Sequence, residues 1–426
     1  MPDLSDSCLP RLLAGRLPDL DLGREAVCPA YGGLSILNLS ASVCRWLGAP
    51  DLPHPPLAVA ALDDLAGGAR QVILTLVDAV SFDRFRRWAD GPARGLRRLA
   101  QDGLLFPVTS VVPSTTSAAL VSLWTGRSPA EHGILGYELF LKEHGLVANM
   151  ITLTPAALNE PGLLSRAGFQ PEAALPVPTL GAHLAAAGVE AHAFLPQEIC
   201  GSGLSRMHLT HTTLHGYTAP ADLWGSLRAL AETRLDRPRL IYAYYPEVDT
   251  LSHRWGPDSE QAESDFGTFA QTLLHRFVEA FDGACRRQTL LVILSDHGQV
   301  PSTPDPHYEV HSHPDLLRRL HVLPCGESRL AYLYMRPGQT EAVAEYFERA
   351  WPGGFRMLPS DHALAAGLFG PGRPAACAAD RLGDRIALAQ GTAYLWSPDK
   401  ANAMRGRHGG LSREEMLVPI LAVRLR

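Results

Sequence analysis

Short, continuous apolar runs alternate along this chain with segments of helical spacing. The run "QVILTLV" at 71–77 is aliphatic and β-branched with almost no polar alternation, which predicts a strand buried on both faces, and it stops at Asp78. Phe82, Phe85 and Trp88 then recur at helical intervals, so strand gives way to helix in the manner of an opening βαβ unit. The pattern repeats. "LLFPVTSVV" (104–112) predicts a second strand, followed by the hydroxyl-rich turn of "VVPSTTSAAL" (111–120) and a helix through Leu120, Leu123 and Trp124. Residues 179–196, 240–249, 258–286 and 289–298 continue the series of strand and helix candidates, with 258–286 as a long helix. Continuous apolar strands alternating with helices predict an α/β fold, a mostly parallel central sheet with helices on both faces.

Two stretches depart from this rhythm. Residues 311–390 hold a strand-like "RLAYLYMRP" (329–337), a helix around 340–350 and loops rich in Gly, Pro and Ala, after which 407–425 returns to loop, helical turn and buried strand. This predicts a smaller inserted cap subdomain at 311–390, with the catalytic core formed by 67–310 and 391–426. Residues 1–66 read as a leader without an assigned role, and "APDLPHPPLAVAALDDLAGGA" (49–69) as its linker to the core.

Composition narrows the class. With 426 residues, 46% hydrophobic and 19% charged, the chain can bury a sizeable core and matches a globular enzyme. A net charge of −6 gives no footprint for a nucleic-acid polymer or an anionic membrane. The N-terminus is acidic early and lacks an apolar core, so no signal peptide is expected, and no apolar run of about 18 residues predicts a membrane span. Seven cysteines without CxxC spacing predict reduced, packing thiols and a cytoplasmic setting. Lys142 and Lys400 are the only lysines, a bias that coding composition explains without a functional reason.

The candidate chemistry lies where the predicted strands end. Asp78, Asp249 with His253, Asp296 with His297, and His408 form small islands of carboxylate and imidazole, together enough for two divalent ions. Singly each has a plain alternative: an Asp after a strand is often a helix cap, and "DHG" is a common loop. Asp249 and His253, four apart, meet on one side of a helical turn. Ser114, Thr115, Thr116 and Ser117 occupy the turn before a predicted helix, where free amides and the helix dipole favour an anion. Mixed nitrogen and oxygen donors without thiolate suit zinc best and manganese next.

The order of these elements, Asp78, the Thr turn followed by "TGRSPAEHGI", D-x-x-x-H with "GP", "SDHG" and a late "HGG", resembles the alkaline phosphatase superfamily. It is most similar to the type I phosphodiesterase and nucleotide pyrophosphatase/phosphodiesterase branch, over roughly 70–300 and 400–425. By that resemblance, Asp249, His253 and His408 would bind one metal ion, and Asp78, Asp296, His297 and the oxygen of Thr116 a second. Thr116 takes the nucleophile position, which implies hydrolysis of a small phosphodiester or pyrophosphate through a phosphothreonine. Other residues of the turn have helix capping as their plain reading.

One departure bears on substrate. The family commonly carries an Asn three residues after the nucleophile to hold a phosphoryl oxygen, and this chain has Ala119. A phosphate monoesterase or metal-dependent phosphomutase of the same superfamily is the alternative, and a non-catalytic metal-binding protein the next. A monoester's extra charge calls for an added cation, which the sequence does not locate. His132 reads as structural; His307, His311 and His313 read as a solvated loop, with an entrance or a further metal as the alternative. Arg127 and Tyr137 are substrate-contact candidates, and Trp88, Trp124 and Trp255 are expected in the core.

Overall fold

A computed structural model describes residues 3–158, 160–397 and 401–426, so Lys400 lies outside the described residues. The central sheet has seven strands in the order Leu104–Thr109, Leu417–Arg424, Thr289–Leu294, Gln71–Val77, Arg239–Tyr245, Glu190–Pro196 and Thr213–Tyr217. Gln71–Val77 pairs in parallel with its neighbours on both sides, and Glu190–Pro196 does the same. Leu417–Arg424 alone runs against its partners, closing the sheet between Leu104–Thr109 and Thr289–Leu294. The fold is therefore α/β with a mostly parallel sheet flanked by helices. Its inner strands are buried along their whole length, as unbroken apolar runs require.

The register aligns the chemistry. Val77 pairs with Tyr245 and Leu76 with Leu294, so the residues that follow these strands emerge level at one edge of the sheet. The predicted strand 104–112 ends earlier, at Thr109, because residues 110–115 leave the sheet to form the turn ahead of helix Thr116–Thr125. The strand at 240–249 likewise ends at Tyr245, and Pro246 opens helix Glu247–Trp255, which puts Asp249 and His253 one turn apart on that helix. The long helix predicted at 258–286 runs Glu260–Thr272, widens into a π-turn at Leu273–Val278 and is over before Gly283, whose φ of 99° no helix accommodates.

A second, antiparallel sheet takes strands from two distant parts of the chain. Leu320–Gly326, Leu330–Met335, Phe355–Pro359 and Arg385–Ala389 come from the segment expected as an insertion, and Glu138–Leu141, Leu146–Asn149 and Thr154–Pro155 extend it. Val310, Leu333, Val343, Phe347, Trp351 and Leu395 form a small core of their own beneath it.

The stretch 49–69 is not a free linker: it includes helix Ala60–Ala66, and Leu57, Val59, Leu62 and Leu65 join the main core. The leader also braces the turn that precedes Thr116. The Tyr31 hydroxyl accepts the Val112 amide at 3.1 Å, and the Val27 amide donates to the Leu411 carbonyl at 2.8 Å. Trp88 and Trp124 are buried as expected, but Trp255 is 44% exposed. It ends its helix on the solvent side, with the Arg254 guanidinium 5.0 Å over its ring. All seven cysteines are free. No helix among the described residues is long and apolar enough to cross a membrane.

Candidate active site

The three strand ends and the late loop converge. Asp78, Asp296 and His297 offer donor atoms within 4.8 Å of one another, as do Asp249, His253 and His408. The groups adjoin: the His297 and His408 rings stack with centroids 4.0 Å apart, and His253 lies 5.1 Å from His408. Thr116, the first residue of its helix, points its Oγ1 at the first group, 3.0 Å from His297 Nε2 and 3.4 Å from Asp78 Oδ2. The site residues expected from the sequence thus come together.

Each imidazole is oriented by the backbone. Nδ1 of His253 donates to the Gly406 carbonyl at 2.8 Å, Nδ1 of His408 to Ser114 at 3.2 Å and Nδ1 of His297 to Gly298 at 3.1 Å. A carbonyl only accepts, so each Nδ1 carries a proton and Nε2 is the ring atom available to face a cation. Burial, with His297 and His253 beside it, holds His408 well below the usual histidine range and so unprotonated.

The carboxylates show the same need for a cation. Burial first, then the charges of Asp296 and Asp249, pushes Asp78 well above the usual carboxylate range, and burial pushes Asp296 up to about 7. Asp78 Oδ1 and Asp296 Oδ2 are buried with no hydrogen-bond partner. Buried acceptors left unpaired are costly, and a divalent ion would satisfy both while removing the repulsion between the acids. The donor set therefore fits metal ions.

Several neighbours were not legible beforehand. The Tyr244 hydroxyl donates to Asp78 Oδ2, and Gln299 Nε2 donates to Asp249 Oδ1, each fixing a carboxylate. Their only sequence signal is position: one is the penultimate residue of a buried strand, the other follows "DHG". Ser114 ties the turn to the late loop, donating to the Gly410 carbonyl at 2.7 Å and accepting from the Gly409 amide at 3.2 Å. Ser117 is fully buried.

A cavity of about 320 Å³ opens onto Thr116, Asp249, His253 and His408. The second sheet walls it through Glu138, Cys325 and Ala331, and Tyr137 lines it. Glu327 also lines it, accepting the Tyr137 amide at 2.6 Å, and burial pushes its carboxyl up to about 8. Arg407, 1% exposed, borders the same cavity; burial lowers it to about 10, which leaves it cationic at neutral pH.

None of the remaining candidates lines this cavity. His132 is fully buried against the Ser122 hydroxyl at 2.9 Å, and burial lowers it to about 3. Arg127 pairs with Glu131 at 3.1 Å. His307, His311 and His313 spend ring nitrogens on the carbonyls of Ala350, Ser397 and His307. Ala119 is buried and offers no side-chain donor.

The pattern of the type I phosphodiesterase / nucleotide pyrophosphatase family matches residues 72–411. The chain belongs to this family. It is thus a hydrolase of the alkaline phosphatase superfamily, one that acts on phosphoesters with the help of metal. Solved structures share its fold. Murine ectonucleotide pyrophosphatase/phosphodiesterase 5, an inactive variant in complex with AMP, is 17% identical, with 83% of this chain and 87% of that chain covered at a TM-score of 0.60. Phosphonoacetate hydrolase from Sinorhizobium meliloti 1021, in complex with phosphonoformate, is 17% identical, with 84% and 91% covered at 0.61. No curated protein matches the sequence.

The late loop of this family member hangs on one buried ion pair. Arg329 and Glu415 are at most 1% exposed and meet through two contacts of 2.7 and 3.0 Å, while Glu415 also accepts the Gly410 and Ser412 amides. Removing one partner leaves a buried charge unmatched, at about 3–5 kcal/mol. Arg329→Met is expected to lower the stability measured by denaturant unfolding by that amount; a change under about 1 kcal/mol would remove the pair from the account of the loop.

Proposed function

We propose that this chain hydrolyses phosphodiester or pyrophosphate bonds of small molecules, nucleotides among them, using two divalent ions and a covalent phosphothreonine on Thr116. The observation that carries the reading is the position of Thr116 Oγ1 beside Asp78 and His297, within a cavity shared with Asp249, His253 and His408. Asp249, His253 and His408 would hold one ion, and Asp78, Asp296, His297 and Thr116 the other. Zinc suits these donors best, with manganese next. Bound there, such ions supply Lewis acidity, easing loss of the hydroxyl proton and offsetting charge on the phosphoryl and leaving oxygens.

The chain's own residues do the rest. Thr116 Oγ1 attacks phosphorus as its proton passes to solvent, and the bond to the leaving oxygen breaks and that oxygen takes up a proton; water then attacks the phosphothreonine in line, breaking the bond to Oγ1, which regains its proton. Tyr244 and Gln299 keep Asp78 and Asp249 in place. The family's Asn is absent at Ala119, and the amides of the first helical turn supply the replacement. The Ala119 amide is taken by the Thr115 carbonyl, while those of Thr116, Ser117 and Ala118 precede the first intrahelical bond and favour an anion. The 311–390 segment, together with 138–155, selects the substrate as a cap. Free cysteines and the absence of CxxC spacing support a cytoplasmic setting.

Bis-p-nitrophenyl phosphate and p-nitrophenyl phosphate, assayed with zinc or manganese and again with chelator, test the reading. The diester is expected to be preferred and its turnover lost with chelator. Preference for the monoester would move the chain to the phosphomonoesterase alternative, and turnover of neither by metal-loaded protein would favour a binding role.

A further inference from the structure

Arg407 is a buried charge with poor company. Its Nε donates to Ser302 Oγ at 3.0 Å, its Nη2 to Asn402 Oδ1 and its Nη1 to the Met404 thioether at 3.6 Å, and its side chain also bonds Tyr394, so every partner it has is neutral. The guanidinium lies 3.9 Å from the Tyr394 ring centroid and 4.7 Å from that of Trp396, so aromatic faces hold it in position. No carboxylate among the described residues forms an ion pair with it. Arg329, the other fully buried arginine, is matched by Glu415. A buried cation of this kind is costly unless something that enters its cavity brings the counter-charge.

The cavity it borders is the one that opens onto Thr116 and the metal-ligating candidates. Apart from Asp249, the acids on its wall are Glu138 and Glu327, and Arg407 is ion-paired with neither. Ile151, Leu395, Trp396 and Met404 give the same cavity an apolar lining suited to a hydrocarbon or aromatic stem. A guanidinium's planar fork is the group best shaped to take two oxygens of a carboxylate or phosphate.

We propose that Arg407 anchors a second anionic group, carboxylate or phosphate, carried on the leaving group of the substrate whose phosphorus faces Thr116. The inference rests on the phosphoester-hydrolase reading above and deepens it: the preferred substrates are acidic at both ends, and esters with a neutral leaving group are poor ones. It also supplies the cation that a monoester or a doubly charged substrate requires.

Calorimetric titration of the zinc-loaded full chain tests this with ligands that cannot be turned over. The probes are the 3- and 4-carboxyphenylphosphonates, their neutral carbamoyl counterparts and the corresponding phenylene bisphosphonates. At least one charged isomer is expected to bind about tenfold or more tightly than its carbamoyl twin. The better of the carboxylate and phosphonate arms identifies the anion. The preference should vanish in Arg407→Met and survive in part in Arg407→Lys. Equal binding of charged and neutral probes by the wild-type protein, or a preference that persists in Arg407→Met, would overturn the proposal. Should Arg407→Met not fold, the wild-type comparison alone decides it. Turnover of the bis(3-carboxyphenyl) and bis(4-carboxyphenyl) phosphates, whose leaving groups carry the second anion, is read separately: a preference kept without turnover supports the anchor and sinks the hydrolytic reading, while turnover without preference sinks the anchor alone.

Discussion

Thr116→Ala is expected to abolish hydrolysis, with kcat falling on the order of 10⁴-fold or more, while the protein keeps close to two metal ions per chain. The other hydroxyls of the turn are either bonded elsewhere or, for Ser117, buried without a hydrogen-bond partner. Ser114 is bonded to both Gly409 and Gly410, and Ser117 is buried behind the helix start. Thr115 lines the cavity, but its side chain is engaged with Glu327. None can take over without rebuilding the turn. Thr116→Ser, which keeps the hydroxyl, is expected to retain partial activity. That separates loss of a nucleophile from loss of packing. Full activity in Thr116→Ala would assign the chemistry to another residue.

Metal removal has the second large effect, and its sign depends on pH. Without metal, Asp78 and Asp296 are buried beside each other with acceptors unsatisfied, and their folded-state pKa values lie above those of the unfolded chain. The folded metal-free protein therefore binds protons more tightly than the unfolded one. That stability is fully present below the unfolded value near 3.8 and is lost as pH rises through about 7. Metal competes with the same protons, so its contribution runs the other way. At free metal 1,000 times Kd each site adds about 4 kcal/mol. Chelation is expected to lower the unfolding temperature strongly at about pH 8.5 and less at about pH 6.5, as measured by calorimetry. A chelator effect that is absent, or larger at the lower pH, would contradict the assignment of these acids.

The central sheet and the six ligand candidates were legible because both depend on local pattern. A strand buried on both faces has to be a continuous apolar run, and an acid that ends such a run stands out, as Asp78 and Asp296 do. Spacing put Asp249 and His253 on one side of a helical turn, and the order of the islands, through its resemblance to the family, made them a ligand pair. Pairing between distant segments has no such signature. Nothing in "ELFL" at 138–141 announces that Glu138 will pair with Gly326 in a sheet that overhangs the site. Nor does a Pro- and Leu-rich leader announce that Tyr31 and Val27 will brace the loops on either side of the site. Tyr244, Gln299 and Arg407 were missed for the same reason: each matters through one contact across the fold. Trp255 misled because a large aromatic on a helix usually faces the core, whereas this one sits at the last turn of a helix whose inner face is already filled by Val248 and Ser252.

Covalent catalysis by Thr116 is tested most directly by the stereochemistry at phosphorus. Hydrolysis of a chiral phosphorothioate diester in isotopically labelled water should proceed with net retention, because two in-line displacements each invert the centre. Net inversion would mean that water attacks the substrate directly, and the phosphothreonine would have to be abandoned.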